Sequence, residues 1–173
     1  MIKPRAADQL LLPVSPLFIG LSLAAAFAFN LLPLGRQAAT PDLLALVLVF
    51  WNVHQPRRVS VGLSFLFGLL MDVHEAALLG QHALAYTLLS YGAITVHRRL
   101  LWFGLAEQSL QVLPLFVMAT LVSLAVRMAV GGMFPGWPLI FSPLLAALLW
   151  PLATWILLAP QRRPPDPDKH RPL

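Results

Sequence analysis

The chain has 173 residues, of which 58% are hydrophobic and only 11% charged, with twelve Lys or Arg against seven Asp or Glu. A soluble domain carries about 25% charged residues and cannot cover this much apolar surface, so the composition excludes a soluble globular protein. It predicts one all-α integral membrane domain; without cysteine there is no disulfide and no thiolate metal site.

The first apolar segment, Leu17–Leu34, follows Lys3 and Arg5. Ala26-Phe27-Ala28 resembles a signal-peptide cleavage site, but the apolar run continues past it, which predicts an uncleaved first helix. Ala24 and Ala28 are spaced small-x-x-x-small and predict a helix-contact face. The second and third segments, Leu43–Val53 and Val59–Met71, are short. The 13 residues of the third rise roughly 20 Å as a helix, against a bilayer core about 30 Å thick. The second must borrow Ala38–Asp42 to span.

The third run stops at Asp72, with His74 and Glu75 close behind. An acidic group inside a membrane segment costs roughly 2.5–3.5 kcal/mol on insertion scales, so it calls for a partner or a task. Gly62, Gly68 and Gly80 predict close helix approach and a tight reversal into the fourth segment. That segment is Ala83–Val96, extended back to Ala76, with Gln81 and His82 near its start. The fifth, Leu110–Val130, and the sixth, Leu139–Leu158, have spanning length. Pro114, Pro143 and Pro151 predict kinks in them. Trp51, Trp102 and Trp137 fall near helix ends, as interface anchors do.

Six crossings put ten of the twelve basic residues on one side. Arg57 and Arg58, and Arg98 and Arg99, anchor that side between segments; Arg36 and Arg127 lie towards the other. The positive-inside rule makes it cytoplasmic, with both termini inside. A re-entrant third segment would leave every arginine where it is, so charge alone leaves that alternative open. The expected organisation is a cytoplasmic N-terminal segment over 1–16, a six-helix membrane domain over 17–160 and a disordered tail over 161–173. The tail, QRRPPDPDKHRPL, is too rich in proline and charge to pack a core.

No connection is long enough for a soluble catalytic domain, and no phosphate-cradling glycine loop or nucleophile elbow occurs. The pI of about 10.8 reflects topology and contact with anionic lipid, and indicates no nucleic-acid partner. Asp72, His74, Glu75 and His82 lack the His-Glu-x-x-His spacing that places two metal ligands on one face, so no metal or other cofactor is expected. No serine or cysteine stands beside them as an activated nucleophile, which points away from an enzyme. Asp72, His74, Glu75, Gln81 and His82 are therefore expected to form a polar knot that closes the short third helix and contributes to partner binding. Asp72 should be held by His74, Gln81 or His82, with Arg127 as a further candidate.

The array Pro41-Asp42, Trp51, Pro56-Arg57, Gly62, Phe65, Gly68-Leu69-Leu70, Asp72, Gly80-Gln81-His82-Ala83-Leu84 and Tyr86 resembles the MreD family of rod-shape-determining proteins. The match covers roughly Leu17–Pro160, and its specific part is Pro56–Tyr86; the proline-rich tail departs from it. The resemblance implies a multi-pass protein of the bacterial inner membrane that maintains rod shape during lateral peptidoglycan synthesis. Its implied partners are the bitopic protein MreC and the assembly of MreB filaments, RodA and a penicillin-binding transpeptidase. It also implies a fold like the substrate-binding subunits of energy-coupling-factor vitamin transporters. That likeness supplies the alternative function, a small-molecule-binding transporter subunit. Against it, the interior polar residues Asn30, Asn52, Asp72, Gln111 and Ser123 are scattered over several segments.

Overall fold

The computed structural model describes residues 14–32 and 40–162. The described residues form six α-helices: α1 (Pro16–Leu31), α2 (Leu43–His54), α3 (Val61–His74), α4 (Gln81–Leu100), α5 (Leu105–Ala129) and α6 (Phe141–Leu158). Short 3₁₀ turns, Trp137–Ile140 and Ala159–Gln161, flank α6. No strand occurs among the described residues. By length and composition, α5 and the stretch Trp137–Gln161 can each cross a membrane, while α1, α2 and α3 are shorter apolar helices.

Local chemistry sets the starts of the helices. Ser15 accepts the Phe18 N–H at 3.2 Å and Pro16 pre-sets the first turn of α1. Asp42 accepts the Ala45 N–H at 2.9 Å at the start of α2, and Ser60 caps α3 through Leu63 at 3.4 Å. Glu107 reaches back to the Gly104 N–H at 3.2 Å to open α5.

The second helix is the core element. Leu44, Leu48, Val49, Phe50 and Trp51 are fully enclosed, as a helix apolar on every face requires. It packs against α1, α4 and α6, while α3 lies chiefly on α4, α4 on α5, and α5 on α6. Large apolar side chains cover the outside instead, among them Leu17, Leu66, Leu110 and Leu148.

Buried polar groups lock the layers. The Asn52 amide donates to Ser90 Oγ at 2.9 Å, and Ser90 donates to Ser64 at 2.6 Å, so α2, α4 and α3 share one hydrogen-bonded ladder. Trp51 Nε1 donates to Ser22 Oγ on α1 at 2.8 Å, and Trp150 Nε1 donates to Gln108 on α5 at 3.1 Å. Each such bond is worth about 0.6–2 kcal/mol between apolar helices.

Several expected boundaries are corrected. Helix α3 runs on through Asp72 to His74. Residues Ala76–Leu79 are a turn and do not lengthen α4, which gains length at its other end through Arg98 and Arg99. Ala76 itself takes a left-handed conformation, φ 50°. Before α2, helix begins only after the Asp42 cap. Trp51 is core, not an interface anchor, whereas Trp102 and Trp137 are exposed. Gln161 is buried, its amide donating to Leu157 O, so ordered chain extends past the expected start of the tail. The rest of the tail, the first thirteen residues and Arg36 lie outside the described residues.

Candidate functional site: the carboxylate belt

Two aspartates organise one end of the bundle. Helix α3 ends in a Schellman arrangement, in which the Ala77 N–H meets the Asp72 carbonyl at 3.0 Å and the Ala76 N–H meets Val73 O at 3.4 Å. This turn aims the Asp72 side chain at the start of α4, where Gly80 sits at φ 105° and has no side chain to cap the helix. Asp72 Oδ2 accepts the Gly80 N–H at 2.8 Å and the Ala83 N–H at 3.3 Å. Asp72 Oδ1 accepts the His82 N–H at 2.7 Å and lies 2.9 Å from His82 Nδ1. A carboxylate only accepts, so the imidazole keeps a proton on Nδ1. The fully buried Asp72 thus caps a helix other than its own, and its negative charge lies at the positive end of the α4 dipole.

His82 bridges outward as well, its Nε2 standing 3.5 Å from the partly exposed Glu75 carboxylate. Gly68 makes the closeness possible. A Cβ there would fall 2.6 Å from Ala83 N and 2.7 Å from His82 O, closer than atoms can pack.

A second carboxylate, Asp42, ties three helices. Its Oδ1 accepts Asn30 Nδ2 from α1 at 2.8 Å as well as the Ala45 N–H, and its Oδ2 accepts the Tyr86 hydroxyl from α4 at 2.5 Å. Tyr86 and His82 are one turn apart on α4, ring centroids 6.0 Å from one another. The two hubs therefore form one belt across α1 to α4. Arg57, Arg58, Arg98 and Arg99 lie at the opposite end of the same helices.

The structure sorts the expected residues. It brings Asp72, Glu75 and His82 together, with Gly68 and Gly80 shaping the turn. His74 is exposed, and the Gln81 N–H goes to Leu78 O rather than to Asp72, so neither holds the carboxylate. Arg127 is exposed on α5, and the ion pairs of Asp72 and Glu75 are both with His82. Gly62 is exposed too, with nothing nearer than 3.7 Å to a Cβ added there, so it is no contact point. Ala24 and Ala28 are likewise exposed: α1 packs inward through Ile19, Leu23 and Ala26. Reading the sequence missed the linkage of Asn30, Asp42 and Tyr86. Pro41-Asp42 ahead of an apolar run was a readable helix start, but nothing local announces a partner 44 residues away.

Both carboxylates of the belt are occupied by donors, and among the described residues no three His, Asp or Glu side chains converge as metal ligands. What the arrangement does is hold four helix ends in register.

The comparisons with known proteins agree on a family. The model for "rod shape-determining protein MreD" matches residues 9–158. A rod shape-determining protein MreD of Haemophilus influenzae is 34% identical over 130 residues, covering 73% of this chain and 76% of the relative. No solved structure matches the chain, and the expected likeness to energy-coupling-factor transporter subunits is not shown. The match spans all six helices and the whole carboxylate belt, and on it the chain belongs to the MreD family of rod shape-determining proteins.

Proposed function

We propose that this chain is a non-enzymatic, multi-pass scaffold of the bacterial inner membrane, with six crossings and both termini in the cytoplasm. In this reading it binds an MreC-like bitopic protein and helps couple MreB filaments, RodA and a penicillin-binding transpeptidase to lateral wall synthesis. The observation that carries it is the belt: the ionisable groups inside the helices are consumed in fixing helix ends, while the outside is apolar. A scaffold needs a rigid, lipid-matched frame, and a catalyst needs a free acid, base or nucleophile.

The belt also supports full crossing by the third helix. Asp42 opens α2 and Asp72 closes α3 at one end through their α4 partners Tyr86 and His82. The Asn52–Ser90–Ser64 ladder joins the same helices near their other ends. Helix α3 therefore covers the same depth as α2, and its 14 residues rise about 21 Å. A bilayer accommodates so short a span by local thinning at modest cost.

The exposed Ala24–Ala28 face of α1 suits a close-packed single helix from a partner. The test is affinity purification of the full chain from detergent, with stoichiometric partners quantified. Recovery of a bitopic MreC-like protein, reduced in Ala24→Leu/Ala28→Leu at unchanged thermal stability, supports the proposal. Recovery of a co-purifying small ligand without such a partner overturns it in favour of a transporter subunit.

A further inference from the structure

We infer that the end of α4 opposite the carboxylate belt carries a binding site for the headgroup of an anionic phospholipid. This rests on the cytoplasmic placement of that end proposed above. Ser90 marks the level at which α2, α3 and α4 are bonded together. Beyond it α2 ends within two residues and α3 begins three residues earlier, but α4 continues for ten more to Leu100, about 15 Å of helix. The last turns of α4 thus project past α2 and α3 and are flanked by the start of α5.

The chain then folds back through Leu101–Gly104 into α5, leaving a depression of about 630 Å³ lined by Arg98, Arg99, Leu101, Trp102 and Phe103. Trp102 is 90% exposed. Three consecutive large apolar side chains bared to water would be costly, so this loop belongs at the bilayer interface. Both guanidiniums are exposed, and no hydrogen bond or ion pair engages either among the described residues. The nearby acidic group, Glu107, is occupied with the Gly104 N–H.

Two guanidiniums without a partner among the described residues, above an apolar, aromatic hollow, match an amphiphile with a phosphate head and hydrocarbon tails. Arginine binds phosphate oxygens in pairs, and the hollow takes the first carbons of the tail. Anionic lipid of the cytoplasmic leaflet presents that chemistry at that depth.

The test uses the full chain in detergent, with lipid adducts counted by native mass spectrometry as phosphatidylglycerol or phosphatidylethanolamine is titrated in. Preferential retention of phosphatidylglycerol is expected, weakened about five-fold for each of Arg98→Ala and Arg99→Ala, and weakened by raised salt. Arg127→Ala, at the other end of the bundle, should change nothing. Equal affinity for the two lipids, or an equal loss in Arg127→Ala, overturns the site as mere net charge. Retention of a long-chain polyprenyl phosphate with no retention of phosphatidylglycerol overturns the bilayer-lipid assignment. Orientation is checked separately by labelling Trp102→Cys in whole cells with an impermeant maleimide, since the chain has no other cysteine. Labelling from outside overturns the topology, and with it the cytoplasmic source of the lipid, even where the micelle preference stands.

Discussion

Asp72 meets His82 twice through one oxygen: Oδ1 lies 2.7 Å from the His82 backbone nitrogen and 2.9 Å from the ring Nδ1. A residue in the last turn of α3 is in this way welded to the second residue of α4. The short α3–α4 turn is held by a buried charge-assisted contact in addition to apolar packing.

Replacing Asp72 should destabilise the fold more than any other single polar substitution in the belt. Asp72→Leu strands the Gly80, His82 and Ala83 N–H groups, each costing about 1–3 kcal/mol if left dry. Asp72→Asn keeps one accepting oxygen but turns an NH₂ towards donors, so it should fall between wild type and leucine. Thermal unfolding in detergent orders the three; equal midpoints would show that water replaces the carboxylate.

Glycine 68 and glycine 62 should respond oppositely to alanine. Gly68→Ala drives a methyl into the Ala83 backbone and should cost about 1–3 kcal/mol as the helices are pushed apart. Gly62→Ala meets nothing nearer than the Ser60 hydroxyl at 3.7 Å, an ordinary contact, and should be neutral or slightly stabilising, because alanine favours helix. Matched expression and melting measurements of the two variants decide it.

Ala76 sits at φ 50°, where a Cβ is strained and glycine is not. Ala76→Gly should therefore stabilise the α3 terminus by up to about 1 kcal/mol despite the added chain entropy. A rise in the melting midpoint is the expected reading, and a fall would mean that the entropy lost on folding dominates.

Tyr86→Phe and Asn30→Leu remove two of the donors that converge on Asp42. Each should cost about 1–3 kcal/mol, because the acceptor is charged. Since both act on one carboxylate, the double variant should depart from the sum of the singles by more than about 0.5 kcal/mol. Simple additivity would mean that the two bonds are independent.

The proposed orientation predicts that Met133→Cys, in the exposed connection before α6, reacts with an impermeant maleimide from outside the cell. A reporter active only in the periplasm, fused after Leu173, should be silent. Strong activity there would remove the six-span arrangement.

Much of this was legible without coordinates. Segment number, the shortness of α2 and α3, the acidic stop at Asp72 and the close approach at Gly68 all follow from local facts: an apolar run, a carboxylate that interrupts it, a missing Cβ. Such properties depend on residues within a few turns of one another. What tertiary structure alone decided is which faces meet. Helix α2 is apolar all round, so no periodicity reveals that Trp51 turns inward to Ser22, or that α1 offers Ile19 and Leu23 rather than Ala24 and Ala28. The Asp42–Tyr86 bond and the choice of His82 over Arg127 for Asp72 were decided in the same way. A buried carboxylate takes whichever donors the packed helices bring within about 3 Å, and that choice is made by the apolar surfaces around it.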